Sequence, residues 1–341
     1  MPYEHGAHGL LHHVGWFVDT PLTRGVSTVD PMASEHETAA SAAYGRAGPP
    51  RVALPRRGVV IGLRWSGAEG AGNQIVAAKI ECSAERAHLS RLWRPFTEAP
   101  GRRHVRERLG AWLTEEARWA EGRLVVGVDF PLSLAETHLR QLGLLRQALR
   151  GPPVLGKHLD ERFLGEGGDF TEGAQRFRSE LGKDRLRVTD CYRAEAHAPT
   201  HARTYRATFF GLCALSRLEA AFPPWDPPQA GKPTVVEVRP AHVARALCGV
   251  TAFRDDAKDG VNRSSTRAAI LRTLRSAGKL EFEMEQAAQI VEDVHAEHLD
   301  AALAAFGAAA AAAEDFQGVP PNVPRSEGWI HSVREEPWRE R

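Results

Sequence analysis

Three acidic residues stand where an unpartnered charge is costly. Asp129 closes the apolar run Leu124-Val125-Val126-Gly127-Val128, Glu237 is set inside Thr234-Val235-Val236-Glu237-Val238, and Asp300 lies among small apolar residues in Leu299-Asp300-Ala301-Ala302-Leu303. The first two runs read as strands buried on both faces, and ligands of open α/β sheets collect at the carboxyl ends of such strands. An ionised carboxylate there needs a hydrogen bond, a counter-ion or a metal. Converging carboxylates suit Mg²⁺ or Mn²⁺, with Asp129 and Asp300 as ligands and Glu237 as a further ligand or general base. A metal pair so held activates water and clamps a phosphodiester for in-line attack. For each carboxylate taken alone, a structural ion pair or a capping role is the competing reading.

The elements that must position these acids are visible as patterns. Val59-Val60-Ile61-Gly62-Leu63 is a β-branched run, followed by Arg64 and a turn rich in glycine, and residues 74–82 read as a second strand, which together signal a hairpin. Val105, Leu109, Trp112, Leu113 and Ala117 predict a helix over 104–120. A further helix carries Leu139, Leu142, Leu145 and Leu149, with Ser133 as its candidate cap. Residues 151–200 have weak periodicity and read as a long functional insertion or lid. Helices are predicted over 203–222, near 241–248, over 267–277 and, as one long element, over 283–313. On that last helix Asp293, Glu297 and Asp300 fall at i, i+4 and i+7 and share a face, which for the first two fits a solvated stripe. A hairpin followed by alternating strands and helices gives an α/β fold with a mixed sheet.

Composition narrows the class. The 341 residues carry 44 Lys and Arg against 43 Asp and Glu, a formal charge of +1, which disfavours non-specific coating of nucleic acid but allows a local basic groove. Cys82, Cys191, Cys213 and Cys248 are widely spaced, so neither a structural zinc site nor a disulfide scaffold is expected, and a cytoplasmic location is the default. No run is apolar enough to span a membrane. Residues 1–55 mix His, Gly, Ala, Ser and Pro without a period and read as a disordered tail; His5, His8, His12 and His13 within it lack a framing carboxylate or thiolate. Residues 56–335 form the expected domain.

Five segments occur in a telling order: Gly62-x-x-x-Ser66-Gly67-Ala68, Gly127-Val128-Asp129-Phe130-Pro131, Val236-Glu237-Val238-x-Pro240, Leu299-Asp300-Ala301 and Glu327-Gly328-Trp329-Ile330. Together they resemble the family called domain of unknown function 429 (DUF429), predicted RNase H-like nucleases. The resemblance implies an RNase H-like five-stranded mixed sheet whose first three strands form a meander, flanked by helices. It also implies Asp129, Glu237 and Asp300 as the acidic site, and hydrolysis of a phosphodiester with Mg²⁺ or Mn²⁺.

The first strand departs from that pattern. Its end normally carries a metal-binding Asp, and here the position is Arg64, whose guanidinium has no acceptor. An Arg64–Asp129 ion pair is the expected consequence. Arg64 and Ser66, with Arg263 and Arg267 from the basic stretch that also holds Arg254, Lys258, Arg272 and Arg275, are the candidate substrate contacts. Arg185, Arg187, Arg193 and Arg206, interleaved with Tyr192 and Tyr205, suit single strands or ordinary packing. The partner is therefore nucleic acid or a phosphorylated small molecule. The alternatives to a nuclease are a non-catalytic binding protein and an enzyme that grips phosphate through Arg64.

Overall fold

The β-branched run at the start of the domain becomes the central strand of a sheet. The computed structural model describes residues 52–84, 86–192, 197–255, 260–278 and 280–333. The strands are β1 (Gly58–Arg64), β2 (Val76–Cys82), β3 (Ala87–Trp93), β4 (Leu124–Val128), β5 (Thr234–Val238), β6 (Leu280–Glu281) and β7 (Ile330–His331). They form one mixed sheet in the order β6-β3-β2-β1-β4-β5-β7. β1, β2 and β3 are an antiparallel meander, and β4 and then β5 add parallel to the other side of β1. Seven strands stand where five were expected. The two additions are edge strands of two residues each, β6 on β3 and β7 on β5, too short to leave a periodic signal.

Helices cover both faces. α1 (Arg102–Trp119), α2 (Glu136–Leu142), α3 (Leu145–Ala148), α4 (Pro152–Phe163), α5 (Phe170–Leu181), α6 (Val188–Tyr192) and α7 (Tyr205–Leu215) precede β5. α8 (Pro240–Cys248), α9 (Ser264–Gly278), α10 (Met284–Glu292) and α11 (Glu297–Ala313) follow it. Strand alternation sorts the core into two layers. Ile61, Leu63, Val126, Val128 and Val235 face one cluster with Leu109, Leu155, Phe177 and Phe209. Val60, Val236 and Val238 face the other with Val243, Ile270 and the alanines of α11. The segment 151–200 is thus largely a helical layer built into the first core rather than a loop-like lid, because Leu155, Leu159, Phe163, Phe177 and Leu181 are all buried. Residues from 52 onward, placed in the expected tail, pack on the domain: Val52 N–H donates to Ala277 O at 3.0 Å, and Val52 and Leu54 pack on the second core. Residues 1–51, with His5, His8, His12 and His13 among them, lie outside the described residues, as do Arg193 and Lys258.

The predicted helix over 283–313 is two helices. Asp293 ends the first of them and accepts N–H bonds from His295 at 3.0 Å and His298 at 2.9 Å, while Ala296 takes a left-handed turn at φ 54°. Burial opposes ionisation of Asp293, but the ring and backbone of His298 outweigh it and hold the carboxyl well below the usual range. Asp293 is therefore part of the joint between helices and not one end of a shared helical face.

α11 lies directly against the middle of the sheet. Gly62 of β1 is paired with Gly127 of β4, and a Cβ on either would overlap backbone atoms of α11, Ala301 O and Ala305 N for Gly62 and Ala304 O for Gly127. The matching alanines on the helix, Ala301, Ala304, Ala305 and Ala308, are fully buried. Gly62→Ala should therefore destabilise the protein by roughly 3 kcal/mol, since backbone cannot move aside as a side chain can. Gly110→Ala, whose Cβ would meet only Arg217 O at 3.8 Å, should be neutral or stabilise α1 by about 0.5–1 kcal/mol. Urea melts of the two variants measure both effects.

Candidate functional site at the carboxyl ends of the central strands

Residue pairing fixes which acids can meet. Leu63 pairs with Val128, and Asp129 N–H donates to Leu63 O at 3.0 Å, so Arg64 and Asp129 are level at the ends of β1 and β4. Continuing the alternation from Gly62 and Gly127, both side chains belong to the α11 face. Asp300 comes from the first turn of α11 and is fully buried. Asp129 and Asp300 therefore converge, close enough that the Asp300 charge perturbs Asp129.

Glu237 does not join them. It pairs with Val128, whose side chain belongs to the opposite core, so it points through the other face of the sheet. There it is gripped by Arg187, which donates through Nη2 to Oε1 at 2.6 Å and through Nη1 to Oε2 at 2.7 Å, while Leu132 N–H adds a bond of 2.9 Å. Arg187 also binds Asp190, through Nη2 to Oδ1 at 2.8 Å and through Nε to Oδ2 at 3.1 Å. All three side chains are inaccessible to solvent. Burial pulls the Arg187 guanidinium toward neutrality, but the Asp190 and Glu237 charges more than reverse it. The expected three-acid site is thus two acids on one face and a buried ion triad on the other. Glu327 acts beside that triad as a tether, accepting from Glu136 N at 2.7 Å and Val188 N at 2.5 Å.

The expected Arg64–Asp129 contact is also replaced. Arg64 pairs with Glu297 at 3.5 Å and donates to Gln74 O at 3.2 Å, and Glu297 is shared with Arg94 at 2.7 Å. Arg239, just past β5, is the cation nearest Asp129 among the described residues, at 3.9 Å, and it stands 3.9 Å from Glu237 as well. Arg254 donates to Oδ2 of Asp300. Asp300 Oδ1 is buried without a partner, and among the described residues no donor comes within hydrogen-bonding distance of the Asp129 carboxylate.

Burial first, and then the Asp300 charge, push Asp129 up to about 7 against the pull of Arg239, Arg254 and Arg64. Asp300 is raised by burial too, but Arg254 bonds to it directly, so the proton of the pair rests on Asp129.

Asp129, but not the buried Asp300, lines a cavity of about 340 Å³ together with Arg64, Trp65, His197, Arg203, Arg239, His242 and Arg254. Burial holds His197 below the usual histidine range, and it stacks on His201 with ring centroids 4.4 Å apart. The other predicted substrate contacts lie elsewhere. Ser66 donates to Gln74 Oε1 at 2.8 Å, which braces the turn after β1. Arg267 is buried and spent on Asp255 at 2.6 Å, Phe253 O at 3.0 Å and Val291 O at 2.9 Å. Arg263 gives its backbone N–H to the same Asp255 and is not among the cavity residues. From the basic stretch, Arg254 alone reaches the cavity among the described residues. Arg203 and His197 were not anticipated. Arg239 had a signal that went unused: it stands between a strand end and a Pro at the start of a helix, where ligands of α/β sheets bind.

Fold and site define a mixed α/β protein with a seven-stranded sheet, helices on both faces and an arginine-lined cavity that opens on Asp129 at its strand ends. Residues 67–325 match the family described as protein of unknown function (DUF429), and the chain belongs to it. No curated protein and no solved structure matches the chain. Among the described residues no helix is long and apolar enough to cross a membrane, and no group of three or more His, Cys, Asp or Glu side chains is placed to hold a metal ion.

Two stability outcomes follow from these charges. Arg187→Met strands Glu237 and Asp190 in the core and should cost about 3–5 kcal/mol. Arg64→Ala leaves Glu297 paired with Arg94 and should cost under about 1 kcal/mol, as partly exposed ion pairs do. Denaturant titration at neutral pH compares them. For Asp129, the folded state holds a proton that the unfolded chain releases near pH 4, so stability falls as pH rises from about 4 to about 7. Asp129→Asn should therefore melt at a higher temperature than the parent at pH 8, with the difference closing toward pH 4.

Proposed function

We propose that the protein is a metal-assisted phosphoester hydrolase of RNase H-like fold that works at the Asp129–Asp300 pair. The observation that carries this reading is a pair of neighbouring carboxylates, Asp129 lining an arginine-rich cavity at the strand ends and Asp300 buried beside it with Oδ1 unpartnered among the described residues. The strand order β3-β2-β1-β4-β5, with an antiparallel meander and parallel additions, supports the RNase H-like assignment. The donor set fits a single hard cation. Asp129 and the free Oδ1 of Asp300 would hold it, in keeping with Mg²⁺ sites that use one or two carboxylates and complete their shell with water and substrate oxygens. A second ion lacks ligands, since Arg64 replaces one acid and Arg187 occupies Glu237. When bound, the ion would supply Lewis acidity at phosphorus and acidify a water.

The side chains have separable tasks. Arg254 bonds to Asp300 and favours its ionised form against the burial that raises its pKa. Asp129 would release the proton it holds to solvent when it serves as a ligand, and the attacking water passes its own proton to solvent as its oxygen bonds to phosphorus. The ester P–O bond breaks, and the departing alkoxide takes a proton from solvent water to leave as an alcohol. Arg64, Arg203 and Arg239 neutralise the phosphoryl oxygens.

A second reading is a non-catalytic binding protein, favoured by the same substitution of Arg64 for an acid. The deciding experiment combines melts in millimolar Mg²⁺ or Mn²⁺ with turnover of p-nitrophenyl phosphate and bis(p-nitrophenyl) phosphate. The parent should gain several degrees with metal and hydrolyse at least one ester, and Asp300→Asn should do neither. Absence of both metal stabilisation and turnover in the parent overturns the hydrolase reading.

A further inference from the structure

The donors around the cavity are arranged for a ligand smaller than a nucleic-acid strand. Four arginines, Arg64, Arg203, Arg239 and Arg254, line it against the single acid Asp129. The acids that balance them, Asp300, Glu237 and Glu297, are buried or nearly so and do not line it. Nε and Nη2 of Arg239 are buried without a hydrogen-bond partner, and so is the indole Nε1 of Trp65, another lining residue. A buried N–H without an acceptor is costly; Nε of Arg239 faces Glu237 Oε1 at 3.9 Å, but its Nη2 and the Trp65 indole have no acceptor among the described residues and call for one from a ligand. Pro240, Ala241 and His242, the first residues of α8, complete that wall, and the positive end of a nine-residue helix adds to the same field.

The donors come from separate segments: the end of β1, the end of β5 with the start of α8, the stretch 197–207, and Arg254. A tetrahedral oxyanion can meet donors from several directions, whereas a planar carboxylate meets them mainly in one plane. The volume of about 340 Å³ is at the small end of the roughly 300–1,000 Å³ of ordinary ligand pockets. Trp65 is not a stacking platform for successive bases: it is itself packed between Phe130 and Phe210, with ring centroids 5.1 and 5.2 Å away, and is only 4% exposed. Single-strand binding surfaces expose their aromatic rings.

We propose that this cavity binds a small phosphomonoester, its terminal phosphate held by Arg239, Arg203 and Arg64 at the start of α8, and not the interior of a nucleic-acid strand. The proposal rests on the phosphoester reading for the identity of the anion and narrows its substrate class.

Calorimetric titration of the full chain tests it with three probes: inorganic phosphate, p-nitrophenyl phosphate, and a single-stranded oligonucleotide without terminal phosphates. The first two should bind at one site and compete, and the oligonucleotide should not displace them. Arg239→Gln should weaken phosphate binding by about tenfold or more. Because Arg239 is mostly buried, Arg203→Gln at an exposed position is the companion variant and should weaken binding without lowering the melting temperature. Arg263→Gln, outside the cavity, should bind as the parent does. No phosphate binding, binding untouched in both cavity variants, or displacement of phosphate by the oligonucleotide would each overturn the proposal. Phosphate binding without metal stabilisation or turnover would sustain it while removing the hydrolase reading, and metal-dependent turnover without phosphate binding would do the reverse.

Discussion

The contact of α11 with β1 and β4 is the constraint on which the site depends. Two paired glycines and a run of alanines let helix backbone and sheet backbone touch. That closeness brings the first turn of α11, and with it Asp300, to the end of the strand that carries Asp129. A larger residue at Gly62 or Gly127 would lift the helix and separate the pair. The alanine run, unremarkable as a helix former, is therefore the feature that assembles two acids from positions far apart in the chain.

The two faces of the sheet divide the chemistry. On the α11 face, Asp129 lines a cavity, and Asp300, buried beside it, keeps Oδ1 without a partner among the described residues. On the other face, Glu237, Arg187 and Asp190 form a triad in which every charge is answered and no solvent enters. A triad of this kind adds little net stability over apolar packing, yet removing one member is severe, because the others are left charged in the core. It pins the 151–200 layer to β5. Arg239, 3.9 Å from both Asp129 and Glu237, is the one described cation that adjoins both groups.

Arg64 has a different meaning here from that of a plug in an acidic site. It is held by Glu297 and Gln74, so it lines the cavity without closing on Asp129. The cavity consequently keeps the Asp129 carboxyl beside several fixed guanidiniums.

Much of this could be read from residue order alone. The apolar runs at 58–64, 124–128 and 234–238 became the central strands because β-branched residues buried on both faces have few other uses, and Asp129 and Asp300 stood out as acids in apolar company. The sequence also marked Arg64 as the break in the acidic pattern. Which acids meet, however, depends on pairing register: Glu237 and Asp129 look alike at the ends of their runs, and only the pairing of Val128 with Glu237 shows that they face opposite ways. The partners of Arg64, Arg187 and Arg267 were likewise decided by tertiary structure, since a guanidinium on a long side chain can reach carboxylates on several elements. Local pattern specifies strands and helices; side-chain direction and long-range charge pairing arise only when the sheet is assembled.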